Sequence, residues 1–262
     1  MCELLGLSAQ YPVTLEMSFQ QLMQRAELSN PDGWGAVFYE QNDAYVFREP
    51  RPASNSRLAN LLAQCGIESH LVLSHIRRAT TGAIELRNTH PFMREFNGRM
   101  HSFAFNGNVP GVFDLGPAST RYFPIGETDA EFAFCRLLEL LDSESDTVDW
   151  KRSASILKSF GDQLATMGPA NFLYSDSLYL YAYSSRRSHS DGIHPPGLHY
   201  NSRQCDEKQT SVPCVGLNVK STVNTTQKLT LIASVPLSDE TWIPFEEKQL
   251  LVLEKGGILK QH

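Results

Sequence analysis

A thiol stands one peptide bond behind the initiating methionine in MCELLGLSA. With Met1 removed, Cys2 becomes the N-terminus, and its sulfur lies a few bonds from a free α-amine. That amine titrates near pH 8, so at neutral pH a useful fraction can take the thiol proton. The thiolate is the attacking form of cysteine, and a built-in base beside it is a means of activation. The plain alternative is a small apolar residue opening a strand.

Three further stretches carry groups that complement such a nucleophile. In FAFNGNV, Asn106 and the N–H of Gly107 can donate to an oxyanion, although Asn-Gly alone is also ordinary turn chemistry. In SHIRRATTG, strand alternation sends His75 and Arg77 to one face and Arg78 to the other, so one guanidinium can enter a pocket. A guanidinium holds a carboxylate in a two-pronged geometry that lysine cannot match. Thr80, Thr81 and Gly82 follow with hydroxyls and a tight turn. In GETDAE, Asp129 opens a capped helix, where the dipole favours an acid with or without a functional role. His90 in NTHPF reads as a satisfied structural histidine, Asp32 in DGWG as a turn residue and Trp34 as core.

These groups must be positioned by elements that the patterning outlines. ELLGLSA reads as a short buried strand, Phe19 to Ala26 as a helix, and GAVFYE and AYVFRE as a hairpin about QND. SRLANLLAQCG has a helix with Ser56 as cap and Gly66 as stop. HLVLSHIRRATTG and RMHSFAFNGNV are strands, each broken by glycine. Thr128 to Glu131 fits a capping box ahead of FAFCRLLELL, and a second long helix covers Trp150 to Met167. NFLYSD and LYLYAYSS form a hairpin turning at Asp176 and Ser177, and KLTLIASVP and KQLLVLEKGG are closing strands. The polar, Gly- and Pro-rich 185–214 stretch reads as a long irregular connection. Strand pairs interleaved with helices, without regular alternation, imply α+β layers, and no linker divides residues 1–262 into two domains.

Composition limits the partners. A net charge of −6 without any basic run argues against nucleic acid and anionic membranes. No apolar span or signal peptide is present, which makes a cytoplasmic protein the expectation. Five scattered cysteines argue against a disulfide framework, and Cys205 and Cys214 lack the spacing of a zinc site. No metal or cofactor is expected.

Taken in order, MCELLG, DGWG, HIRRATTG, NTHPF, FNGN, GETDAE and the later ASVPLSDETW resemble the class II glutamine amidotransferases, the N-terminal-nucleophile hydrolases with a catalytic cysteine. The stand-alone bacterial YafJ-type members are similar along the whole length. The resemblance implies a four-layer αββα sandwich. It implies Cys2 as nucleophile with its own amine as base, Asn106 and Gly107 as oxyanion donors, Arg77 and Thr80 for the α-carboxylate of glutamine, and Asp129 for the α-ammonium. It further implies either hydrolysis of a γ-glutamyl amide or transfer of ammonia to a separate synthase, since 262 residues hold no synthase domain. A non-catalytic module recognising glutamine or a partner protein is the alternative. Larger members carry Arg-Gly where this chain has Ser29 and Asn30, and an aromatic residue where it has Arg78.

Overall fold

Both edges of the first strand are covered, and this sets where Cys2 lies. In the computed structural model, which describes residues 2–17, 22, 32–116, 121–143, 149–205, 211–214, 217–223 and 225–261, β1 (Glu3–Met17) begins one residue after Cys2. It pairs antiparallel with β4 (Ile67–Arg77), Glu3 opposite Ile76, and with β14 (Gln227–Ala233), Leu5 opposite Ala233. The expected short strand is thus 15 residues long. Its register against β4 shifts between Ser8 and Val13, across Pro12. Proline is tolerated in a sheet at such irregularities, so it bends the strand without ending it.

The nine-stranded sheet runs β15-β11-β14-β1-β4-β2-β3, with β13 on the second half of β1 and β12 beyond it. Its other members are β2 (Gly33–Glu40), β3 (Asp43–Glu49), β11 (His199–Cys205), β12 (Ser211–Cys214), β13 (Leu217–Ser221) and β15 (Ile243–Pro244). A six-stranded sheet has the order β17-β16-β8-β7-β6-β5. It comprises β5 (Phe92–Phe96), β6 (Arg99–Gly107), β7 (Ala170–Ser175), β8 (Leu180–Ser184), β16 (Gln249–Glu254) and β17 (Gly257–Gln261). A separate hairpin joins β9 (Arg187–His189) to β10 (Gly192–His194).

Three apolar clusters define the layers. Leu4, Leu73, Ala104, Leu173 and Leu251, drawn from both sheets, fill the space between them. Leu5, Leu7, Ile76 and Leu231 face outward from the larger sheet onto α1 (Arg57–Cys65) through Ala59 and Leu62. Phe103, Phe105, Phe172 and Tyr183 face outward from the smaller sheet onto α2 (Asp129–Asp142) and α3 (Trp150–Met167). This is the expected αββα order. Leu4 to Leu7 are apolar throughout because both faces of the strand are buried there. Gly6 lets the sheets approach: a Cβ there would lie 3.1 Å from Leu173 and Leu180.

The helices start and stop where their signals stand. Ser56 accepts from the Ala59 N–H, Gly66 has φ +59°, and Thr128 and Asp149 cap α2 and α3. The capping box is half made. Thr128 accepts from the Glu131 N–H, but the Glu131 carboxylate turns to the Gly126 N–H and to Arg94, each at 2.6 Å.

One expectation fails. The 185–214 stretch is not an irregular connection: it holds the β9–β10 hairpin, all of β11, and β12. β11 pairs along its length with β14 and at its start with β15. Its composition hid it, because HYNSRQC places only Tyr200 in the apolar layer between the sheets. The helix expected at Phe19–Ala26 lies outside the described residues except for Leu22. No described helix is long and apolar enough to cross a membrane.

Candidate active site

Cys2 lies half-buried at the mouth of the larger sheet, beside the end of β4. Its Sγ accepts the Arg78 N–H at 3.1 Å and donates to the Arg78 carbonyl at 3.3 Å. Burial pushes the Cys2 thiol up to about 11, against the pull of the Arg78 hydrogen bond and, more weakly, of the Arg77 charge.

The smaller sheet brings its own group to Cys2. Asn106 is the penultimate residue of β6 and points, like Ala104, into the space between the sheets. Its Nδ2 donates to the Cys2 carbonyl at 2.6 Å and approaches Ser234 Oγ at 3.5 Å. Ser234 ties the same corner together, accepting from the Leu4 N–H at 3.0 Å and donating its own N–H to the Leu4 carbonyl at 3.1 Å. Asn171 Nδ2 in turn holds the Asn106 carbonyl at 3.1 Å. Gly107, next along, sits opposite Ala170, and a Cβ there would lie 2.1 Å from the Pro169 carbonyl. The position has no room for any side chain.

Arg77 is buried and Arg78 exposed, as strand alternation requires. The 79–83 loop wraps the Arg77 guanidinium: Nη1 donates to the Ala83 carbonyl, and Nη2 to those of Thr81 and Gly82, at 3.0–3.2 Å. Of five guanidinium donors these three bonds leave two. Asp32 closes the loop at its start, donating its N–H to the Arg77 carbonyl at 2.8 Å and accepting the Ala79 N–H at 2.6 Å. Burial lowers the Arg77 pKa, while the nearby Cys2 and Asp32 oppose that shift. Thr80 is exposed on this loop, apart from the buried groups.

Asp129 is the first residue of α2 and is buried. Its Oδ2 accepts the Val109 N–H at 2.7 Å and its Oδ1 the Ala130 N–H at 2.9 Å, which fixes it three residues beyond Asn106. Burial raises its pKa and those two backbone donors pull it back. His90, read as structural, is buried: its Nδ1 lies 3.1 Å from His75 Nε2. Trp34 is fully buried in the core.

Four residues of this corner were missed by sequence reasoning. Asp32 was read as a turn residue, and Asn88 in NTHPF and Ser234 in ASVPL passed unremarked beside more reactive neighbours. Arg187 lay in the supposed loop. It forms a buried ion pair with Glu3 at 2.9 Å and donates to the Ser234 carbonyl at 2.5 Å. Glu3 is nevertheless pushed up to about 7, because burial outweighs the Arg187 charge. The legible signal was an acid in an otherwise apolar strand, which needs a partner once buried. Among the described residues no group of three His, Cys, Asp or Glu side chains is placed to hold a metal ion.

The chain's relatives share this frame. A family model described as "Glutamine amidotransferases class-II" matches residues 1–262. The chain is 36% identical over 249 residues to "Putative glutamine amidotransferase YafJ" of Escherichia coli (strain K12), across 92% of this chain and 93% of that one. It superposes on a crystal structure of a "predicted glutamine amidotransferase" from Pseudomonas aeruginosa PA01 with a TM-score of 0.71 and 29% identity, covering 98% and 99% of the two chains. Glutamine phosphoribosylpyrophosphate amidotransferase from B. subtilis shares the fold at a TM-score of 0.59 and 13% identity, over 99% of this chain and 48% of that one. With the αββα layers in place and a family model that spans its whole length, the chain belongs to the class II glutamine amidotransferases.

Proposed function

We propose that the protein cleaves the γ-carboxamide of glutamine, or a γ-glutamyl amide, through a thioester on Cys2. The observation that carries this reading is the 2.6 Å contact between Asn106 Nδ2 and the Cys2 carbonyl, which ties an amide donor from the smaller sheet to the residue that bears the thiol. In the proposed reaction Met1 is gone and the α-amine of Cys2 takes the thiol proton. The sulfur adds to the amide carbon, and Asn106 with the Gly107 N–H stabilises the resulting oxyanion. The amine passes its proton to the departing nitrogen, so ammonia or an amine leaves and a γ-glutamyl thioester remains. Water adds to the thioester, glutamate leaves, and the thiol recovers its proton.

The head group would lie between two fixed charges. Arg77 has two donors free of its loop for an α-carboxylate. Asp129 uses one lone pair on each oxygen for backbone N–H groups, leaving the rest for an ammonium. A bound ammonium would also offset the burial that raises the Asp129 pKa. A non-catalytic module that recognises glutamine or a partner is the second reading, favoured by the raised Cys2 thiol.

Glutamate release from glutamine decides between them. The native protein should release glutamate, and Cys2→Ala should release none while melting at the same temperature. Equal release by both would remove Cys2 from the chemistry, and no release by either would favour the binding module.

A further inference from the structure

Three of the sequence stretches meet on one amide that none of them advertises. Asn88 closes the 3-10 turn Leu86–Asn88 and is fully buried. Its Nδ2 donates to the Ala83 carbonyl at 3.1 Å, the same oxygen that accepts from Arg77 Nη1 at 3.2 Å. Its Oδ1 accepts the Glu127 N–H at 2.9 Å, two residues before Asp129. One planar side chain therefore links the loop around Arg77 to the segment that presents Asp129.

The backbone on both sides is shaped for that amide. A Cβ at Gly126 would lie 2.2 Å from Asn88 Oδ1, and one at Gly82 would lie 3.0 Å from Nδ2. Gly82 also has φ +76°, a conformation that side chains disfavour. The glycines of HIRRATTG and GETDAE thus leave room for the asparagine of NTHPF. Asp32 pins the loop at Ala79, so Asn88 is the tie at its other end.

We propose that Asn88 is a positioning residue that sets the spacing of Arg77 and Asp129, so that both ends of one α-amino-acid head group are gripped together. This rests on the reading of the site as a γ-glutamyl amidase. Arg77 and Asp129 stand on different elements, a strand end and a helix start, and in the described structure Asn88 is the side chain bonded to both of their flanking segments. Charges that bind one rigid ligand at two points gain from each other only when their separation is held to a fraction of an ångström. Neither hydrogen bond of Asn88 involves Cys2 or Asn106, so the nucleophile is untouched by its loss.

The test uses the full-length protein and two variants. Asn88→Asp keeps the shape and the acceptor for Glu127 but sets a carboxylate oxygen against the Ala83 carbonyl. Asn88→Ala removes both bonds. KM for glutamine should rise about tenfold or more in each, the scale of a lost buried hydrogen bond, with kcat within about threefold. Two truncated amides give a readout that a merely structural role would not move: 4-carbamoylbutanoate, which lacks the ammonium, and 4-aminobutanamide, which lacks the carboxylate. In the native protein each should be much poorer than glutamine in kcat/KM. In Asn88→Asp those penalties should shrink, because the second charge no longer helps the first.

Unchanged KM and unchanged penalties in a variant that melts like the native protein would overturn the proposal. If Asn88→Ala does not fold, the isosteric Asn88→Asp decides alone. A native protein inert towards glutamine and both amides would overturn the γ-glutamyl reading, and this proposal with it. Native turnover with an indifferent Asn88→Asp would overturn this proposal only.

Discussion

The two ends of the smaller sheet both hold buried polar clusters, and they are built in opposite ways. At the far end, a cleft of about 370 Å³ is lined by Arg99, His101, Trp150, Tyr174 and Asp176. There the groups bond within their own turns or across one strand pair. Asp176 accepts from the N–H groups of Leu178 and Tyr179, and His101 meets Tyr174 at 2.5 Å. At the Cys2 end the partners come from distant parts of the chain: Cys2 with Arg78, Asn106 with Cys2, Asn88 with Glu127, Arg187 with Glu3. A carboxylate that ties its own turn is explained by the turn. Side chains converging from two sheets and a helix, with donors left over on Arg77, are not explained by any one element. The far cleft is therefore the less chemical end, and provenance of the polar groups is what separates the two.

The largest effect that could break this contrast is at Asn106. Asn106→Ala should lower kcat by about 100- to 1000-fold with little change in KM, the loss expected for one preorganised oxyanion donor. Steady-state kinetics check it. A loss under about fivefold would make the Cys2 end no more chemical than the far end.

Acid comes next, and it acts at both ends. Burial holds His75 down to about 3, His90 well below its ordinary range and His101 down to about 4. The unfolded chain, with histidines near 6.5, binds more protons than the folded one between those values and pH 6.5. Stability is therefore full above pH 6.5 and falls as pH drops towards 4, at up to about 1.4 kcal/mol per pH unit for each histidine. Urea unfolding at a series of pH values should show that slope. A flat profile would mean that these rings are not held neutral.

The smallest effect sharpens the comparison from the other side. Asp176→Asn keeps an acceptor for the turn N–H groups, so kcat/KM should stay within about twofold of native, with at most a modest loss of stability. A tenfold loss of turnover would give the far cleft a part in the reaction.

Much of this was legible because the signals were local. Ser56, Gly66 and Thr128 mark helix ends by chemistry confined to one turn. The 41–42 and 176–177 turns likewise stand between strands whose apolar pattern continues on both sides. Arg77 could be assigned to the inner face by counting alternate residues from Leu73. Non-local support left no such trace. β11 is polar because only one face meets the core, and β1 outlasts Pro12 because β4 keeps pairing beyond it while β13 takes the place of β14. Asn88 and Asp32 look like turn residues because they are in turns; that each also binds a distant loop is a property of the fold. Thr80 shows the converse, a motif residue that is exposed although Arg77 of the same motif is buried.

The central claim is that Cys2 is a matured nucleophile facing a glutamine-shaped pocket. The most direct measurement is the intact mass of the purified protein before and after incubation with the diazoketone analogue of glutamine, followed by peptide mapping. The account predicts a chain lacking Met1 that gains one adduct, on Cys2, with no adduct in Cys2→Ala. A chain lacking Met1 that gains none, or gains one elsewhere, would contradict it.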